Sequence, residues 1–268
     1  MQATSFVIPY RAGQAPERRI NLDTVLAWVR RQGPAEIIVV EQDSAPTLGD
    51  LVAVPGLRVV FTFSVGPFNK SWAMNVGARV STGSLVVFGD ADVVCPGLPK
   101  AIAGARQGIP VVRPFNKVID LSEDETAMVR ADFAHLSDPG FGRGGATRED
   151  SGEFPPLCGG MVVFQRGIIS LVGGWDERFE GWGGEDDAMD HKLSRAGIRP
   201  GVLGDVAGFH LHHRRHSALP TRDLTYRNNL ALLAQLRAMP DEALRRMCEV
   251  SQQIMGNPDM YRPLEPLE

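Results

Sequence analysis

Short β-branched apolar runs alternate with stretches of helical apolar spacing, twice in succession, before Asp92. No other feature constrains this chain as tightly. Ser5 to Pro9 and Ile37 to Val40 are runs of the kind that fill strands buried on both faces. Between them, Asn21 to Arg31 carries Leu22, Val25, Leu26 and Val29 at helical spacing, with Asn21 placed to cap the helix. The order repeats with Arg58 to Phe63 as strand, Lys70 to Val80 as helix and Leu85 to Gly89 as strand. Strand–helix–strand units close right-handed into parallel sheets. The pattern predicts an α/β, Rossmann-like chain with a mostly parallel central sheet flanked by helices. It also puts Asp90-Ala91-Asp92 at the carboxyl end of a strand, the edge where open sheets bind ligands.

The later chain continues the pattern less regularly. Pro99 to Gln107 reads as helix, Pro110 to Arg113 as strand and Ser122 to His135 as helix. Ser137 to Pro156 is dominated by Pro, Gly, Arg and Ser and reads as a long mobile loop. Met161 to Gln165 reads as strand, Gly167 to Val172 and Glu185 to Arg195 as helices, and Val202 as part of a short strand. Leu224 to Met239 is amphipathic, and a second helix follows it. At 268 residues and 43% hydrophobic content, the chain suits one large domain. A net charge of -4 argues against nucleic acid as a partner. Three cysteines, Cys95, Cys158 and Cys248, are too few and scattered for a disulfide framework or zinc knuckle. The opening residues lack a signal-peptide pattern, and no apolar run reaches the roughly 20 residues of a membrane span. The expectation is a cytoplasmic protein, peripheral to the inner membrane if its acceptor is lipid-linked.

Three clusters carry chemistry. Asp90 and Asp92, two residues apart past a buried strand, can reach one diphosphate-bound cation together, and hard divalent ions want oxygen ligands. A plain turn is the ordinary alternative. Glycines around Trp182 let the backbone approach a ligand, and the Trp face suits a sugar ring. Glu185, Asp186 and Asp187 then open a helix, where a carboxylate can take a proton from an attacking hydroxyl. An acidic helix start explains the acids alone, not the surrounding Trp and Gly residues. His210, His212, His213 and His216 crowd one segment of a chain with six histidines. On a strand, His210 and His212 would share one side and His213 would take the other. Imidazole favours Mn2+ over Mg2+.

Taken together, these segments resemble the GT-A glycosyltransferases, in particular the β-1,4-galactosyltransferase group and bacterial family-two-type enzymes. Ile8-Pro9-Tyr10-Arg11, Phe68-Asn69-Lys70, Met74-Asn75-Val76-Gly77, Phe88-Gly89-Asp90-Ala91-Asp92, Gly159-Gly160 and Gly181-Trp182-Gly183-Gly184-Glu185-Asp186-Asp187 occur in the family's order. His213-Arg214-Arg215-His216-Ser217 is similar to the segment that completes the family's metal site. The resemblance implies a GT-A domain over 1–220, with a nucleotide-binding half at 1–95 and an acceptor half at 96–220 holding the loop at about 137–156. A C-terminal helical extension at 221–268 would follow.

By the same resemblance, Pro9, Tyr10 and Arg11 would line the nucleotide site, with Glu41 and Asp43 near the base. Phe68 and Lys70 would support uridine and diphosphate, and Asp90 and Ala91 would face ribose or metal. Gly160, Trp182, Gly183 and Glu185 would shape the donor-sugar site. Asp186 would be the catalytic base, with Asp187 and Trp182 at the acceptor. Asp92 and His216 would bind metal, His213 being the second candidate and His210 or His212 the alternatives in another register. The implied reaction is inverting transfer of a galactose-type or N-acetylhexosamine-type sugar from a UDP-sugar, with Mn2+ or Mg2+, to a glycan, glycolipid or small-molecule acceptor. The competing readings are a retaining enzyme similar to the polypeptide N-acetylgalactosaminyltransferases and a non-catalytic nucleotide-sugar-binding protein. A homodimer through the last helices is the minority reading of their apolar face. Two departures stand out: Lys70 replaces the family's Arg, exchanging a fork for a point charge, and Ala188 stands where a third acid is expected.

Overall fold

In the computed structural model, which describes residues 3–13, 15–138, 140–142, 146–149, 160–214 and 224–261, the first strand, β1 (Thr4–Tyr10), is buried at every position. A central strand covered on both faces requires this. It pairs in parallel with β2 (Glu36–Asp43) on one side and β4 (Leu85–Gly89) on the other. β3 (Leu57–Phe63) extends the parallel set beyond β2. Beyond β4, β9 (Met161–Gln165) runs antiparallel and is followed by β6 (Val111–Arg113) and β10 (Gly201–Val202). The result is a seven-stranded, mostly parallel sheet, as the sequence pattern predicts. A second sheet of four strands takes the order β5 (Val93–Val94), β11 (Ala207–His210), β7 (Lys117–Asp120) and β8 (Ala146–Glu149).

Strand alternation divides the core between two faces. Phe6, Ile8 and Tyr10 of β1 pack in one cluster with Leu22, Val25 and Trp28 of α1 (Glu17–Arg31) and Leu98 and Ala101 of α3 (Leu98–Arg106). Val7 turns the other way, into a cluster with Trp72 and Met74 of α2 (Lys70–Val80), Ile169 of α5 (Arg166–Leu171) and Met189 of α6 (Glu185–Arg195). A third cluster joins Phe179 and Ala188 to Leu233 and Leu236 of α7 (Leu224–Arg237) and Leu244 of α8 (Asp241–Ile254). Among the described residues no helix is long and apolar enough to cross a membrane.

Three expectations change. Asn21 does not cap α1, which starts at Glu17 after Pro16. Proline fixes φ and has no N–H to satisfy, so it opens a helix readily. Asn21 is instead wholly buried, donating to the His212 carbonyl at 3.1 Å and accepting from Arg130 at 2.7 Å. The helix expected from Ser122 to His135 stops early: α4 (Glu123–Ala131), opened by a Ser122–Glu125 capping box, gives way to a tight 3-10 turn at Phe133–Ser137. The expected loop of about 137–156 includes β8, antiparallel to β7. An edge strand draws on ladder hydrogen bonds rather than on alternate burial, so composition hides it. Residues 139, 143–145 and 150–156 of that loop lie outside the described residues.

Gly77 shows how closely α2 lies on the sheet, because a Cβ there would come within 2.2 Å of Val7 Cγ1. Gly77→Ala therefore forces α2 away from β1. Chemical denaturation should show a loss of about 1–3 kcal/mol, as overpacked cores do.

Candidate active site

The carboxyl ends of β1 and β4 and the amino end of β9 lie along one edge of the sheet, and β4 delivers Asp90 and Asp92 to it. The Asp90 N–H donates to the Gly160 carbonyl at 2.8 Å, which ties the turn after β4 to the residue just before β9. Gly160 has φ +68, and a Cβ would meet Val93 at 2.8 Å, so glycine alone fits this approach. Lys70, at the start of α2, reaches Asp90 at 2.9 Å and Glu185 at 3.6 Å. Burial works against its charge, but Asp90, Asp186 and Glu185 outweigh it and hold the ammonium protonated well above its ordinary range. Burial pushes the Asp90 carboxyl up, Lys70 pulls it back and the neighbouring Asp92 pushes it up again, with a net rise. Two carboxylates crowded in this way favour a shared cation.

Topology gathers the histidines. The Leu211 N–H donates to the Asp92 carbonyl at 2.8 Å, and β5, directly after Asp92, pairs antiparallel with β11, setting Val93 opposite His210. His213 Nε2 lies 3.2 Å and His210 Nε2 3.6 Å from Asp92 Oδ2. Candidate ligand atoms of Asp92, His210 and His213 all lie within 4.8 Å of one another. Burial pushes Asp92 up, but His213 and His210 outweigh it and hold its carboxyl low; the bond that His213 donates to Asp92 raises the imidazole against burial. One carboxylate with two imidazoles fits a Mn2+-type ion better than Mg2+. The structure thus brings together Asp92, His213 and the alternative His210; His216 lies outside the described residues. The strand parity expected for these histidines fails because β11 ends at His210. His212 is not part of the Asp92 group, and its backbone is held by Thr126 and Asn21.

Asp120 went unnoticed in the sequence. It is the register partner of His210 in the parallel β7–β11 ladder, and its Oδ1 lies 3.2 Å from His210 Nδ1. A carboxylate on one imidazole nitrogen fixes the tautomer and aims the other nitrogen at a metal. No local signal marks Asp120, because strand register decides the pairing.

The donor-side residues divide. Arg11, just past β1, donates to the Gly66 carbonyl at 2.6 Å, and Pro9 is buried in β1. Tyr10 is not a lining side chain: it is 3% exposed in the core, and burial pushes its phenol up to about 12. Strand alternation turns it towards α1. Glu41 is 1% exposed, and Oε1 accepts from the N–H and hydroxyl of Thr47 at 2.6 and 2.5 Å. Its Oε2 is buried with no partner among the described residues. Asp43 accepts from the Ser44 N–H at 2.7 Å, stabilising its own turn. Ala91 packs against the first core cluster. Phe68 packs against the second, and its carbonyl accepts from the Gly181 N–H at 2.7 Å.

The glycine-rich segment ahead of α6 is fastened by asparagines. Asn75, wholly buried, accepts from the Trp175 N–H at 2.8 Å and donates to the Trp175 carbonyl and to Glu177 at 2.9 and 2.7 Å. Asn69, besides capping α2, donates to the Glu177 carbonyl at 2.7 Å and to the Tyr261 hydroxyl at 3.0 Å. Trp182 stands 63% exposed. Asp187 turns to α7, where Arg237 donates to it at 3.0 Å.

Comparison with known proteins bears on the fold and on what this chain is similar to. A family model described as "N-terminal domain of galactosyltransferase" matches residues 150–216. The chain is 27% identical over 237 residues to validoxylamine A glucosyltransferase of Streptomyces hygroscopicus subsp. jinggangensis (strain 5008), covering 75% of this chain and 55% of that protein. It is 27% identical over 233 residues to the protein of the same name from subsp. limoneus, covering 74% and 50%. The chain spans about half the length of these curated relatives. Among solved structures, GalNAc-T7 with UDP, GalNAc and Mn2+ superposes with a TM-score of 0.59 at 14% identity, over 94% of this chain and 55% of that one. Glucosyl-3-phosphoglycerate synthase from Mycobacterium tuberculosis, with Mn2+, UDP and glucosyl-3-phosphoglycerate, gives 0.56 at 18% identity over 89% and 81%. The catalytic domain of Drosophila β1,4-galactosyltransferase 7 with xylobiose gives 0.51 at 16% identity over 84% and 79%.

The fold is GT-A. Within it, the crevice at the ends of β1 and β4 holds the acids of two distant segments around Lys70, and the histidines stand on its β11 side. The GT-A resemblance read from the motifs holds for the sheet.

Asp92→Ala should abolish Mn2+ binding by calorimetry. Asp120→Asn should weaken it about 10- to 100-fold with the fold intact, and unchanged affinity would remove Asp120 from the site.

Proposed function

We propose that this chain is a Mn2+-dependent glycosyltransferase that moves a sugar from a UDP-sugar to an acceptor hydroxyl with inversion. The observation that carries this reading is the position of Lys70. Its ammonium reaches Asp90 and Glu185, and its charge is held by Asp186 as well, so the donor-side and acceptor-side acids share one crevice.

Asp92, His210 and His213 would hold the cation, which supplies charge neutralisation to the departing diphosphate. Glu41 supports the donor site through its unpartnered buried oxygen, an atom that costs about 1–3 kcal/mol unless a ligand or water donates to it. Trp182 offers its exposed face to a sugar ring. Asp186, in the first turn of α6, receives the acceptor's proton as the acceptor oxygen bonds to the anomeric carbon. The bond from that carbon to the diphosphate oxygen breaks, and UDP leaves with the electron pair. Lys70 sets its positive charge beside Glu185 and Asp186, at the N-terminal end of α6 where the helix dipole favours negative groups.

The names of the curated relatives make UDP-glucose the first donor to test, beside UDP-galactose and the UDP-N-acetylhexosamines. The likeness to GalNAc-T7 over 94% of the chain favours a second reading, transfer with retention. Proton NMR of the product distinguishes the two by its anomeric configuration. Asp186→Asn should lower transfer by about 100- to 10,000-fold, the usual worth of a general base, while UDP–Mn2+ affinity stays within twofold. Full turnover in that variant removes Asp186 from the base role.

A further inference from the structure

The family-matched stretch stops at residue 216, and α7 begins at Leu224, yet α7 builds much of the seat beneath the glycine-rich segment. Asn229 is 4% exposed, and its single amide nitrogen donates to the carbonyls of Glu180, Trp182 and Gly183 at 2.8, 3.3 and 2.9 Å. Three residues earlier on the same face, Tyr226 lies against Trp182, with ring centroids 5.3 Å apart and planes inclined by 33°. The same ring blocks any side chain at Gly183, where φ is +91 and a Cβ would meet Tyr226 Cε2 at 2.9 Å.

We propose that α7 is part of the acceptor site, with Tyr226 and Trp182 forming a two-ring platform for a hydroxylated six-membered ring and Asn229 acting as the positioning residue that sets its height. This rests on the glycosyltransferase reading above. Three features separate the platform from simple packing. Trp182 is 63% exposed although a neighbouring ring is available to cover it. The two rings are tilted rather than edge-on, so they present a broad shared face. The backbone that carries Trp182 is held at three carbonyls by one buried amide, a rigidity that an idle surface residue does not need. The C–H face of a pyranose or cyclitol offers the apolar surface that such rings bind, while its hydroxyls remain free to meet Asp186.

The test has a donor arm and an acceptor arm. Calorimetry with UDP and Mn2+ measures the donor site; absence of binding there counts against the glycosyltransferase reading itself. With UDP and Mn2+ bound, tryptophan fluorescence then follows titration with methyl β-glucoside, cellobiose, xylobiose and validoxylamine A. The wild type should bind at least one of them. Tyr226→Ala should weaken that binding about tenfold, Tyr226→Phe should restore it, and UDP–Mn2+ affinity should stay within twofold in both. Asn229→Ala should weaken saccharide binding without altering UDP–Mn2+ affinity, and Asn229→Asp, which keeps the shape but loses the donors, should do the same. The proposal is overturned if the wild type binds UDP and Mn2+ but none of the four, or if Tyr226→Ala binds its saccharide as tightly as the wild type.

Discussion

Four acidic side chains, Asp90, Asp92, Glu185 and Asp186, converge from two distant segments around Lys70, and their mutual repulsion is the constraint on which the rest of the site depends. Lys70 answers part of it by bridging Asp90 and Glu185. His210 and His213 stand against Asp92, while Asp187 is drawn away to Arg237 of α7. Partly buried carboxylates remain ionised only with such partners. A lysine makes the bridge a point charge, which reaches two acids without the geometric demand of an arginine's fork. The remaining negative charge at Asp90 and Asp92 is what gives the crevice its chemistry towards a cation and a diphosphate.

A second requirement is mechanical. The segment from Gly173 to Gly184 is rich in positive-φ glycines, including Gly173, Gly174, Gly181, Gly183 and Gly184, and a backbone of that kind has little stiffness of its own. Its order comes from outside. Asn69 and Asn75 of the α2 region hold its first half, and Asn229 of α7 holds its second. The amide side chain suits this task because it donates and accepts in one plane, so it can replace the backbone partner that an irregular segment lacks. The C-terminal helices are therefore continuous with this part of the molecule, sharing a core with Phe179 inside the glycine-rich segment and Ala188 just after it.

Much of this was legible in the residues. The parallel sheet followed from β-branched runs in β1, β2 and β4, because burial on both faces leaves a strand almost no polar positions. The Asp90–Asp92 turn and the Glu185–Asp187 helix start carried their own composition. Less was legible wherever long-range pairing decides the outcome. β8 was hidden because an edge strand needs no alternation. Tyr10, read beside Pro9 and Arg11 as a lining residue, is a core side chain because strand parity turns it towards α1. Asn21, with the composition of a helix cap, became a buried bracket between α1, α4 and the histidine segment.

From its residue order alone, this chain specifies most of the segments that become strands and helices and which side chains are chemically able to serve, since periodicity and residue type are local properties. Tertiary structure alone decided which of them meet. His210 rather than His212 stands beside Asp92, Asp120 lies behind His210, and Tyr226 lies against Trp182. Those choices depend on strand register and on where a distant helix docks, and each is settled by the packing of the whole sheet rather than by any short stretch of sequence.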